Sequence, residues 1–197
     1  MKLVYTCLFF LSFTCLFAQD KTHSSYLDLN YFRGNIALHN NDILHLIQCH
    51  PEGYILSWNK KTYGFSDWEQ RYNYPDYGVT YAYQKMKNDV LGSVSSLYAH
   101  YNFYFFKRNL TLRIAQGLAF TTNPYDRIDN PKNIAFGTRI LSSTYLMVNY
   151  KKENLFKHFG IQGGLSLIHY SNANVKAPNT SINTIALNLG VTYNLSE

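Results

Sequence analysis

What most constrains this chain is a repeated alternation: eight stretches in which apolar or aromatic residues recur at every second position, set apart by turn signals. They cover about 24–33, 53–60, 76–84, 93–106, 110–120, 138–150, 159–170 and 182–195. A period of two sends successive side chains to opposite faces, so each stretch reads as a strand with two unlike faces. In 110–120, Leu110, Leu112, Ile114, Leu118 and Phe120 share one face with a single polar residue, Gln116. Thr111, Arg113, Ala115, Gly117 and Ala119 form the other. The preceding stretch sets Leu97, Ala99, Tyr101, Phe103 and Phe105 against Ser96, Tyr98, His100, Asn102 and Tyr104.

This pattern fits a soluble sandwich, whose apolar faces point inward, and equally a membrane barrel, whose apolar faces meet lipid. Length separates the two. Several stretches run about 11–13 residues, enough for a tilted span, whereas globular strands average roughly 5–6. Composition agrees. Charged residues are 15% of the chain, against about 25% in ordinary domains, and there are 18 Tyr and 13 Phe. So many aromatics exclude disorder, and no later apolar run approaches the ~20 residues of a membrane helix. The expected fold is all-β: an eight-stranded antiparallel transmembrane β-barrel of the outer-membrane type.

The connections follow the same logic. An even strand count puts both termini in the periplasm, so the loops after the first, third, fifth and seventh strands face outward. Lys107 to Asn109 is a tight turn and Lys151 to His158 a modest one, while Thr121 to Gly137 and Ser171 to Ser181 are longer outer loops. Lys61 to Pro75 is long for a periplasmic turn. Asn40 to His50 is expected to hold a helical turn, capped by Asp42 ahead of Ile43, Leu44, Leu46 and Ile47.

Residues 1–18 read as a signal peptide, with Lys2 as the basic start, Leu3 to Phe17 as the apolar stretch and Ala18 as the cleavage edge. Residues 19–197 are then one barrel domain in the outer membrane of a Gram-negative cell. Removal of Cys7 and Cys15 leaves Cys49 alone, so no intramolecular disulfide can form. Loss of Lys2 lowers the formal net charge from +6 to +5. Export sets nucleic acid aside as a partner and leaves the membrane.

The seventh stretch, FGIQGGLSLIHYS, places His169 and Ser171 on its apolar, lipid-facing side at the outer end. An imidazole beside a hydroxyl is a nucleophile–base pair in spacing, though on a strand rim it is also ordinary interfacial polarity. The stretch HYSNANVKAPNTSIN, from His169 to Asn183, closely resembles the outer-membrane lipid A 3-O-deacylases, also called the acyloxyacyl hydrolase family. The family's His-x-Ser-Asn-Ala run and its Pro-Asn pair match His169, Ser171, Asn172, Ala173, Pro178 and Asn179. Thr122 to Asn133, Tyr72 to Pro75 and the Tyr63, Gly64 pair are similar to the family too. The resemblance implies an esterase that hydrolyses the 3-position acyl ester of lipid A in the outer leaflet lipopolysaccharide. Ser171 is its implied nucleophile, His169 the base, Asn179 an oxyanion donor and Asn172 a second donor.

The departure is at Asn183, where the family carries its triad acid. An antiparallel hairpin brings Asn183 beside His169, and an amide oxygen accepts an imidazole N–H as a carboxylate does, without its charge. Asp126 or Asp129 in the preceding outer loop is an alternative acid. Arg127, Lys132 and Lys176 are candidates to meet lipid A phosphates, or simply solvated loop charges. The other histidines show no zinc spacing, and neither a metal nor another cofactor is expected. The competing reading is a catalytically impaired or non-enzymatic barrel with a structural or adhesion role.

Overall fold

The computed structural model describes residues 24–195; the expected signal peptide lies outside them. Eight strands follow one another: β1 (Ser25–Ile36), β2 (Glu52–Lys60), β3 (Asp76–Lys85), β4 (Ser93–Phe105), β5 (Leu110–Thr121), β6 (Ile140–Phe156), β7 (Phe159–Ser171) and β8 (Ile182–Asn194). Each pairs antiparallel with its sequence neighbour, and β1 closes on β8. Closure removes every free edge, the condition for a sheet to stand in lipid with its backbone groups satisfied.

The two faces are those of the sequence pattern. Leu97, Ile114, Leu118, Leu165, Leu187 and Leu189 point outward and are exposed. Above them are Tyr31, Tyr54, Tyr83 and Phe120, and below them Trp58, Tyr101, Phe159 and Tyr193. An apolar band between two aromatic girdles is the outer surface of a membrane barrel, because aromatic rings sit at the lipid–water boundary.

The lumen is filled by polar side chains, and those around Arg113 satisfy one another, whereas buried polar atoms of Ser96, Thr111, Asn149, Asn188 and Thr192 have no hydrogen-bond partner among the described residues. Arg113, fully buried, pairs with Asp28 at 2.7 Å. It also donates to Asn102 (2.7 Å), Ser57 (2.6 Å) and Asn59 (3.0 Å). His100 bridges Asn59 and Thr80 at 2.9 and 2.8 Å. Nearer the periplasmic end, Arg108 from the β4–β5 turn reaches both oxygens of Asp76, at 2.8 and 2.9 Å.

Apolar side chains close the outer end. Ile43 and Leu46 of the first outer loop, Met86 and Leu91 of the second, and Ala135 and Phe136 of the third are buried together with Ile168, Tyr170 and Ile182. This cap ties the outer loops into one body at the rim that carries His169 and Ser171.

Two local expectations need correction. The β6 strand runs to Phe156, through residues read as a turn, and its register with β7 shifts between Lys152 and Phe156. A bulge absorbs the extra residues, with Asn154 at φ 51°, so the polar run Lys151 to Asn154 reads as a turn while it continues the strand. The helical turn of the first outer loop is a 3-10 helix, Asn41–Leu46, and its cap is Asn40, whose side chain accepts from the Asp42 N–H. The long β2–β3 connection carries a short helix, α1 (Asp67–Arg71), and folds back on the barrel wall. There Trp68 lies 6.3 Å, ring to ring, from Tyr77 and from Tyr101.

Candidate active site

The rim of β7 and β8 holds the residues singled out by the sequence. His169 on β7 stands opposite Asn183 on β8, and its Nδ1 lies 2.7 Å from Asn183 Oδ1. An amide oxygen can only accept, so this contact keeps the proton on Nδ1 and leaves Nε2 with a bare lone pair. That is the form of imidazole that takes a proton from a hydroxyl.

Ser171 follows two residues along the same face, about 6.7 Å further by strand rise. Its hydroxyl is held by Asn179, with Oγ 3.0 Å from Nδ2 and 3.2 Å from Oδ1. The Ala173 backbone N–H donates to the same Oγ at 3.1 Å. Two N–H groups therefore converge on the serine oxygen; when Oγ attacks a carbonyl, negative charge develops two bonds away, on the carbonyl oxygen. Among the described residues no hydrogen bond joins Ser171 to His169.

Asn172 is placed differently from its neighbours. Strand alternation turns it inward, where it is buried, and its amide donates to the Lys176 carbonyl at 2.5 Å. Its backbone N–H meets Asn179 Oδ1 at 2.9 Å. Asn172 thus braces the loop that carries Asn179 and does not face the Ser171 hydroxyl.

That loop, 172–181, rests on the third outer loop. Thr180 N–H donates to the Ile134 carbonyl at 3.1 Å, and the Phe136 ring meets Tyr170 edge-on at 6.3 Å. Gly137 allows the approach: a Cβ there would lie 2.3 Å from the Pro178 carbonyl oxygen and 2.6 Å from that of Lys176.

No carboxylate hydrogen-bonds to His169 among the described residues. Asp126 and Asp129 instead line a 390 Å³ outer-loop cleft with Asp89 and Arg139. Asp126 Oδ1 is occupied by the backbone N–H groups of Ile128 and Asp129. Those two donors, Asp129 first, hold the Asp126 carboxyl below the usual carboxylate range. Arg127, Lys132 and Lys176 lie in the outer loops of the same end.

The Ala173 N–H carries no side-chain signal, and sequence reasoning missed it. It also passed over Ser142 and Thr144 on β6, which stand opposite Ser171 and His169. Their signal was present: two hydroxyl residues at outward positions that Ile140, Leu146 and Val148 otherwise fill with apolar side chains.

Comparison with known proteins bears on what this rim does. No curated protein matches the chain. Its fold is similar to a crystal structure of the outer membrane enzyme PagL, with a TM-score of 0.54 at 16% identity over 83% of this chain and 97% of that one. A crystal structure of Neisserial surface protein A aligns with a TM-score of 0.43 at 12% identity, over 87% and 96% of the two chains. The family model of PagL, lipid A 3-O-deacylase, matches residues 52–192, which run from β2 into β8 and include the whole His169–Asn183 segment. The chain belongs to the PagL family of lipid A 3-O-deacylases.

Proposed function

We propose that this protein is an outer-membrane esterase that hydrolyses the 3-position acyl ester of lipid A, with Ser171 as nucleophile and His169 as general base. The observation that carries this reading is the oriented imidazole: His169 Nδ1 is tied to Asn183 at 2.7 Å, on the lipid-facing surface that also bears Ser171. A substrate in the outer leaflet meets such a site from the membrane, ester level with the rim and acyl chains along the apolar band. The setting is the outer membrane of a Gram-negative cell, after cleavage of residues 1–18.

The chemistry runs in two halves. Nε2 of His169 takes the Ser171 proton as Oγ bonds to the ester carbonyl carbon, and the carbonyl oxygen becomes an oxyanion. Asn179 Nδ2 and the Ala173 N–H stabilise that charge, while Asn172 braces the loop that presents Asn179. Collapse breaks the bond to the sugar oxygen, which leaves with the proton from imidazolium. Water, deprotonated by His169, then cleaves the acyl-serine and releases the fatty acid.

A second reading rests on Asn183. An amide orients imidazole but does not stabilise imidazolium as a carboxylate does; in serine proteases the Asp-to-Asn change costs about 10⁴ in kcat, chiefly through the wrong tautomer, which the 2.7 Å contact of Nδ1 with the Asn183 oxygen avoids here, leaving the smaller loss of charge stabilisation. That favours a slow enzyme, or a barrel whose catalysis has lapsed. The test is fatty-acid release from lipid A by the purified chain folded in detergent, beside Ser171→Ala and His169→Ala. The deacylase reading expects release by wild type alone; no release from a folded wild-type barrel supports the second reading.

A further inference from the structure

Polar side chains facing lipid are costly, and they persist where something offsets the cost. The outward faces of β5 and β6, in the half nearer the outer rim, carry three that belong to neither the His169–Asn183 pair nor the Ser171–Asn179 pair: Gln116, Ser142 and Thr144. They form a directed chain. Thr144 Oγ1 donates to Gln116 Oε1 at 2.5 Å, and Gln116 Nε2 donates to Ser142 Oγ at 3.1 Å. The chain consumes the Thr144 proton and one Gln116 N–H. It leaves the Ser142 hydroxyl proton and the second Gln116 N–H without an acceptor among the described residues.

Register puts those spare donors beside the reacting atoms. Gln116 pairs with Thr144, Thr144 with His169 and Ser142 with Ser171. Adjacent strands lie about 4.8 Å apart, so Ser142 stands one strand from the attacking oxygen. Beyond it, Leu97, Leu118, Phe120 and Ile140 line a 440 Å³ apolar groove on the same outer wall. An acyl chain whose carbonyl sits at Ser171 and whose tail enters that groove passes over Ser142 within its first few carbons.

We propose that Gln116, Ser142 and Thr144 form a subsite for a hydroxyl group on the β-carbon of the scissile acyl chain, so that the site selects 3-hydroxyacyl esters over unsubstituted ones. A β-hydroxyl lies two carbons from the carbonyl, a reach that matches one inter-strand spacing. It accepts from Ser142 or Gln116 where a plain methylene leaves both donors unpaired in lipid. This selection rests on the deacylase reading above, and the experiment keeps the two separable.

The test is binding and turnover of two glucosamine 3-O-esters, tetradecanoyl and 3-hydroxytetradecanoyl, by the mature chain folded in detergent. Binding is measured on Ser171→Ala, and alone and combined with Ser142→Ala or Gln116→Leu. Heat-modifiable gel migration confirms folding in each case. Roughly tenfold tighter binding of the hydroxyacyl ester is expected, the size of one net hydrogen bond, and either added substitution brings the ratio close to one. Equal affinity for the two esters on Ser171→Ala overturns the subsite, as does an added substitution that weakens both esters alike. A binding preference that survives with no turnover by wild type upholds the subsite and defeats the deacylase reading instead.

Discussion

The polar cluster around Arg113 inside the barrel wall and the one around His169 and Gln116 outside it are built to opposite rules. In the lumen, the Arg113 guanidinium is spent on Asp28, Asn102, Ser57 and Asn59, and His100 uses both ring nitrogens. On the lipid side, among the described residues, His169 uses only Nδ1, and the Gln116 chain ends on a hydroxyl with a proton to spare. Saturation of the Arg113 cluster holds its strands in place, since a buried charge without its partner is expensive. Vacancy outside, where lipid offers no hydrogen bonds, marks the surface that a polar substrate can complete.

The largest effect expected from breaking this contrast is on the inner cluster. Arg113→Met leaves Asp28 buried and unpaired, a loss on the order of 3–5 kcal/mol, read as an earlier urea-unfolding midpoint in lipid bilayers. Adding Asp28→Leu recovers most of that loss; if it does not, the pair is not what holds the lumen together. A smaller effect, about 3 kcal/mol in the barrier, is expected from Asn179→Ala, which removes one oxyanion donor and slows deacylation 10²- to 10³-fold. The unfolding midpoint should stay in place because Asn179 sits in an outer loop. A matching fall in stability would make Asn179 a structural residue. The smallest change sharpens the outer cluster: Asn183→Asp should raise kcat about tenfold, or roughly 1.4 kcal/mol, by stabilising imidazolium at an unchanged contact. An unchanged kcat would show that the charge on His169 does not limit the reaction.

Much of this contrast was legible in the amino-acid sequence, because strand alternation is local. The opposed faces of β4 and β5, the odd Gln116 and the shared face of His169, Ser171 and Asn183 all follow from a period of two. The strand positions mostly followed as well. Features set by long-range packing were not legible. The β6 strand continues past Lys152 because a bulge absorbs its extra residues, and Asn40 caps the 3-10 turn through its own extended backbone. The inward turn of Asn172, by contrast, follows from the same period of two that sends His169 and Ser171 outward, so its parity was legible and argued against a role at the serine. The docking of loop 172–181 on the third outer loop depends on Gly137 and the Ile134 carbonyl, which lie more than thirty residues away and carry no periodic signal. The Ala173 N–H is a backbone group that no side-chain pattern reports.

The central claim is that the outer cluster is an esterase site acting on lipid A. Mass spectrometry of lipid A from Gram-negative cells producing the wild-type chain or Ser171→Ala tests it most directly, with both barrels shown to be folded in the outer membrane. The account predicts loss of one 3-position hydroxyacyl mass with wild type and intact lipid A with Ser171→Ala. Intact lipid A in both, or the same loss in both, would contradict it.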